Sequence, residues 1–167
     1  MPQHATGFPG RAGPRFRHLF TVFSSAGRGF MIVATTRLEI STDEGVSLAD
    51  VTSEVNAFIK SSGVASGLCI VSTASAGSCL TLSAEFDEDV DDLLRLARTH
   101  LTAMAATEHP DRIDIEGAGY IPAGVLADCV SLPIRDGAVG VGSWEAIVLL
   151  DGRGPATRPI EITVMGN

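Results

Sequence analysis

Residues 130–134 read Val-Ser-Leu-Pro-Ile, residues 138–141 Ala-Val-Gly-Val, residues 144–150 Trp-Glu-Ala-Ile-Val-Leu-Leu, and residues 159–165 Pro-Ile-Glu-Ile-Thr-Val-Met. These runs are short, apolar and rich in β-branched residues, and turn residues separate them at Arg135-Asp136-Gly137 and at Asp151–Pro155. That combination predicts a closing series of strands. Upstream, Ile32 to Ile40 reads as another strand, and Ser41 to Gly45 as a turn. Ser47 then suits the N-cap of a helix running to about Ser61, with Leu48, Val51, Val55, Phe58 and Ile59 on one stripe and Gly63 ending it.

Leu68 to Val71 and Cys79 to Leu82 read as two strands joined by the small-residue loop Ser72 to Ser78. A second helix is expected to open with Asp87 and Glu88, whose carboxylates suit the positive end of a helix dipole, with Val90, Leu93, Leu94, Leu96, Ala97, Leu101 and Met104 on its buried face. Pro110 follows it. Two principal helices among about six strands predict an α+β domain, a mainly antiparallel sheet with both helices packed on one face.

The chain has 167 residues, 45% of them hydrophobic, enough for one domain with an ordinary core. No apolar run approaches the ~20 residues of a membrane span, so no membrane partner is expected. Residues 1–30 carry Arg11, Arg15, Arg17 and Arg28 with no acid, and Gly and Pro interrupt them throughout. They read as a disordered leader, a targeting tail or untranslated sequence before a start at Met31, and residues 31–167 as the domain. All 20 carboxylates fall in that domain. So acidic a surface repels phosphate backbones and argues against nucleic acid as a partner. Cys69, Cys79 and Cys129 form no zinc-ligand spacing. Cys69 and Cys79 could face each other across a hairpin centred near residue 74, although buried free thiols fit a reduced cytoplasmic location better.

Three stretches could carry chemistry. Ser72-Thr73-Ala74-Ser75-Ala76-Gly77-Ser78 could cradle an anion with amides and hydroxyls, which makes Ser75 and Ser78 candidate ligand-binding residues, or it could be a polar hairpin loop. Glu85 to Asp92 holds six carboxylates in eight residues. There Asp87 and Asp89 could hold a divalent cation such as Mg²⁺, or the acids could simply cap a helix. Glu145 beside Trp144 could act as a general base next to an aromatic ligand contact, or both could be ordinary strand residues. Of the histidines, His109 before Pro110 is the one with a candidate catalytic place; His100, late in the expected helix, needs only the dipole to explain it.

Three segments together resemble the YjbQ-like family, known for a secondary thiamine-phosphate synthase activity. They are Leu80 to Asp92, Ile115 to Ala123 (Ile-Glu-Gly-Ala-Gly-Tyr-Ile-Pro-Ala), and Gly140 to Ile147, followed by Gly154-Pro155 before Arg158. The resemblance implies a compact homotrimer with a polar pocket for a small phosphate-containing ligand. Asp87 and Asp89 match the motif's acids, and His109 corresponds to a family histidine at a longer spacing. Two departures stand out. Ser75 occupies the place of the family's first histidine, and Gly124 that of another. Two readings follow: a degenerate member kept for binding or structure, or a metal-assisted enzyme with a rebuilt site using Asp87, Asp89 and His109.

Overall fold

The computed structural model describes residues 19–25, 28–75, 77–84, 95, 99 and 127–167. Its framework is a pair of very long strands, β2 (Arg28–Asp50) and β7 (Glu145–Gly166), antiparallel along nearly their full length. β1 (Leu19–Ser25), inside the stretch read as a leader, pairs with the start of β2. On the other edge of β7 lie β3 (Gly67–Thr73) and then β4 (Ser78–Ala84). β5 (Cys129–Arg135) pairs with β3, and the two-residue β6 (Ala138–Val139) pairs with β5. All of these pairings are antiparallel. The β5–β6 turn is Asp136-Gly137, both with positive φ (52° and 74°), the two-residue geometry that an Asp-Gly pair favours.

The inner face is built from alternate residues. Ala34, Thr36, Leu38 and Ile40 of β2, Ile160, Ile162 and Val164 of β7, and Cys69 and Val71 of β3 are all buried. Helix α1 (Thr52–Ser62) packs Val55, Phe58 and Ile59 into them. It ends at Gly63 in the left-handed conformation, φ 78°. No helix among the described residues is long and apolar enough to cross a membrane.

The expectation of two principal helices on one face does not hold. α1 is the one helix that the described residues trace. The segment expected as the second, from Asp87 to Met104, lies outside them apart from Arg95 and Thr99, where the Thr99 hydroxyl donates to the Arg95 carbonyl at 2.8 Å. A curled sheet takes over much of the enclosing role. β2 and β7 both bend at the same level, β2 through register shifts at Thr42–Ser47 and β7 at residues 152–155.

Four local expectations fail for one reason, that a neighbouring strand overrides local turn chemistry. Ser47 does not cap a helix: Ser47 to Asp50 stay extended because they pair with Asp151 to Val148. The helix starts five residues later, where the Asp50 carboxylate accepts from the Thr52 amide at 2.8 Å. Ser41–Gly45 and Asp151–Pro155 are bends within strands that continue, not turns that reverse the chain. Likewise Ser72 to Ser78 is no hairpin. β3 and β4 run end to end along β7, Cys69 opposite Val164 and Cys79 opposite Leu150, so the two thiols cannot meet. All three cysteines are free.

Candidate functional site

The shared bend is organised around one buried carboxylate. Asp151 has no exposed surface. Its Oδ2 accepts from Arg158 Nε at 2.8 Å and from the Thr42 hydroxyl at 2.6 Å, and its Oδ1 accepts from Arg158 Nη2 and the Arg153 amide, each at 2.9 Å. Burial would raise this carboxyl. The Arg158 and Thr42 side-chain hydrogen bonds, the Arg153 amide and the Arg158 charge together outweigh it and hold the group below its ordinary value. At Gly154 a side chain would overlap the Asp43 carbonyl, so the backbones of the two long strands touch at the bend.

Beside this bend β3 gives way to β4. The Thr73 hydroxyl donates to the Pro159 carbonyl at 3.1 Å and lies 3.2 Å from the Ser78 hydroxyl, which donates to the Ser75 carbonyl at 3.0 Å. The Ser75 amide in turn reaches the Thr73 oxygen at 3.3 Å, and the Gly152 amide donates to the Gly77 carbonyl at 2.9 Å. Ser78 is buried, its hydroxyl holding its own loop in shape; Ser75 is half-buried beside it.

The opening at this end of β3 is a cleft of ≈ 490 Å³. Its charged and hydroxyl lining is Arg37, Ser72, Thr73, Asp128 and Glu161, over Ala74, Pro159 and Ile160. The register puts Arg37, Glu161 and Ser72 side by side on β2, β7 and β3, so their side chains leave the same face, opposite to the core. Asp128 is anchored by its carbonyl, which accepts from the Thr73 amide at 2.8 Å. Arg37 Nε lies 3.4 Å from Glu39 Oε1, an exposed pair on one strand.

Trp144 and Glu145 stand elsewhere. Glu145 pairs with Ala84 and Ser78 with Asp151, at opposite ends of β4, about 20 Å apart at the rise of a strand. The Glu145 carboxylate accepts from the Gly142 amide at 2.9 Å, closing an exposed turn, and Trp144 is 64% exposed. The fold thus separates Ser75 and Ser78 from Trp144 and Glu145. Asp87, Asp89, His109 and Gly124 lie outside the described residues. Among the described residues no group of three or more His, Cys, Asp or Glu could hold a metal ion.

Sequence reading missed Asp151, Arg158 and Thr42 as a cluster, and Arg37, Asp128 and Glu161 as a cleft. The Asp151–Pro155 stretch carried a signal: an Asp inside a run otherwise buried from Ala146 onward needs a cation, and Arg158 was seven residues away. The cleft carried none, since its three charges come from β2, from β7 and from the approach to β5.

An antiparallel α+β sheet packed against α1, with two long strands paired at its centre, defines a recognisable class of domain. Residues 36–167 match the family described as UPF0047 protein YjbQ-like, and the chain belongs to that family. A UPF0047 protein of Methanothermobacter thermautotrophicus is 26% identical over 137 residues, covering 82% of this chain and 95% of the relative. YugU of Bacillus subtilis is also 26% identical, over 132 residues covering 77% of this chain and 97% of that protein. Among solved structures, a protein of unknown function from Sulfolobus solfataricus superposes with a TM-score of 0.74 at 23% identity, covering 82% of this chain and 99% of that one. A hypothetical protein of Aeropyrum pernix gives 0.71 at 18%, covering 80% and 98%. These structures establish the fold alone.

Proposed function

We propose that the chain keeps the YjbQ-like scaffold in a binding or structural role and has given up the condensation chemistry for which the family is known. The observation that carries this reading is the surroundings of Ser75. This residue stands just past β3, where the family pattern has its first histidine, and the Thr73 and Ser78 hydroxyls beside it are both given to main-chain carbonyls, Pro159 of β7 and Ser75 of the loop. Joining a pyrimidine diphosphate to a thiazole phosphate requires diphosphate to leave. Its departure needs cations aimed at the leaving oxygens. The neighbouring cleft offers Asp128 and Glu161 against Arg37, which is already paired with Glu39.

The reading includes a homotrimer, as the resemblance implies, and a cytoplasmic place, in keeping with three free thiols. Light scattering on the full chain tests the trimer. The metal-assisted alternative assigns Mg²⁺ to Asp87 and Asp89, with His109 and Glu145 in catalysis and Trp144 beside the ligand. Against it stands the distance of Glu145 from Ser75 along β4. The deciding assay follows diphosphate release from the two phosphorylated halves of thiamine phosphate, with Mg²⁺ present. No release above the uncatalysed rate is expected. Release that disappears in Asp87→Ala would replace this reading by the alternative.

A further inference from the structure

We infer that the cleft at the end of β3 takes a small organic cation, an ammonium or guanidinium group on a hydrocarbon stem, rather than a phosphate. This deepens the binding role proposed above and rests on it. Glu161 stands between Arg37 and Ser72 in register, with Cβ atoms of directly opposed residues about 4.5–5.5 Å apart. Among the described lining residues Arg37 is the one cation. Its Nε lies 3.4 Å from Glu39, two residues along the same strand and so on the same face. With that charge offset on its own strand, Asp128 and Glu161 set the sign of the cleft.

A phosphate entering there meets carboxylates of its own sign. An ammonium or guanidinium group, all donors and no acceptors, finds two carboxylates, with the Ser72 hydroxyl as a further acceptor. Ala74 and Pro159 supply the apolar surface that a hydrocarbon stem covers. The volume of ≈ 490 Å³ lies within the roughly 300–1,000 Å³ of small-molecule sites.

Agmatine, which carries both cationic groups on a short stem, is the probe, and inorganic diphosphate the counter-probe. Each is titrated into the full chain while the backbone amide resonances are followed. Agmatine is expected to move the amides of Ser72, Thr73, Ala74 and Asp128. Glu161→Gln and Asp128→Asn should each weaken it about two- to fivefold, the range that exposed ion pairs give. Arg37→Gln should tighten it by a similar factor. All three side chains are exposed, so the remaining amide spectrum reports that each variant is folded. Agmatine leaving these amides unmoved overturns the inference. So does diphosphate moving them with Arg37→Gln abolishing the effect. Loss of the proposed binding role reads out separately, as diphosphate release in the condensation assay.

Discussion

Asp151 carries the strongest single-residue prediction. Its carboxylate is ionised in the folded chain because Arg158, Thr42 and the Arg153 amide outweigh the cost of burying it. A group held below its unfolded value stabilises the fold above the unfolded carboxylate pKa, about 3.9. That contribution is lost as pH falls through the lower folded value. Asp151→Asn leaves Arg158 without its counter-charge and should cost about 3–5 kcal/mol at neutral pH. In urea titrations the gap between variant and parent should close on acidification; a constant gap would mean that the side chain matters for shape and not for charge. Thr36 makes the opposite case. It is 1% exposed and its hydroxyl has no hydrogen-bond partner among the described residues, so Thr36→Val should add about 1 kcal/mol by removing an unpaid desolvation. The thiols divide by burial. Burial pushes Cys69 up to about 12 and Cys79 to about 11, whereas Cys129 is exposed. Since the thiolate is the reactive form, an aromatic disulfide reagent at neutral pH should titrate Cys129 alone in the native chain and all three thiols in urea.

At the scale of elements, the bend in β2 and β7 decides where everything else lies. Gly154 lets the two backbones touch, and a Cβ there would overlap the Asp43 carbonyl, which belongs to the main chain and cannot swing aside. Gly142→Ala, by contrast, meets only the end of the exposed Glu145 side chain. Gly154→Ala should therefore cost at least about 3 kcal/mol, at or beyond the top of the overpacking range. Gly142→Ala should stay within about 1 kcal/mol. Comparable losses in the two would show that the approach at Gly154 relaxes freely. The same bend explains what the sequence could and could not say. Asp136-Gly137 was legible because a two-residue turn states its own geometry. Ser72 to Ser78 and Asp151 to Pro155 use the same small and turn-forming residues, yet the chain does not reverse there. What keeps it from reversing is a strand elsewhere in the sequence: β7 for the first and β2 for the second. Ser47 to Asp50 misled in the same way, since Leu48 and Val51 fit either a helix stripe or a strand until the β7 pairing chooses.

For the whole molecule, the family was legible in Leu80 to Asp92, Ile115 to Ala123 and Gly140 to Ile147, whereas the cleft was not. Arg37, Ser72, Asp128 and Glu161 converge only once β2, β3, the start of β5 and β7 are in register. The architecture that hides the site from the sequence also dictates how the chain folds. Its central contacts are among the most distant in sequence: the Thr42–Asp151 bond spans 109 residues and the Thr35–Thr163 bond 128. Loop closure must be met before such pairings stabilise anything, so refolding should fall in the millisecond-to-second range of non-local β topologies. The last strand is then indispensable in a way the first is not. Residues 160–166 pair on one side with β2 and on the other with β3, and they bury Ile160, Ile162 and Val164. β1 adds one edge to β2 alone. A chain ending at Arg158 should lose the cooperative thermal transition altogether. One beginning at Arg28 should keep it at a lower midpoint, with the β2–β7 ladder intact. Circular dichroism on heating separates these cases, and a cooperative transition in the chain ending at Arg158 would show that β2, β3 and α1 can form a core without the second part of β7, residues 159–166.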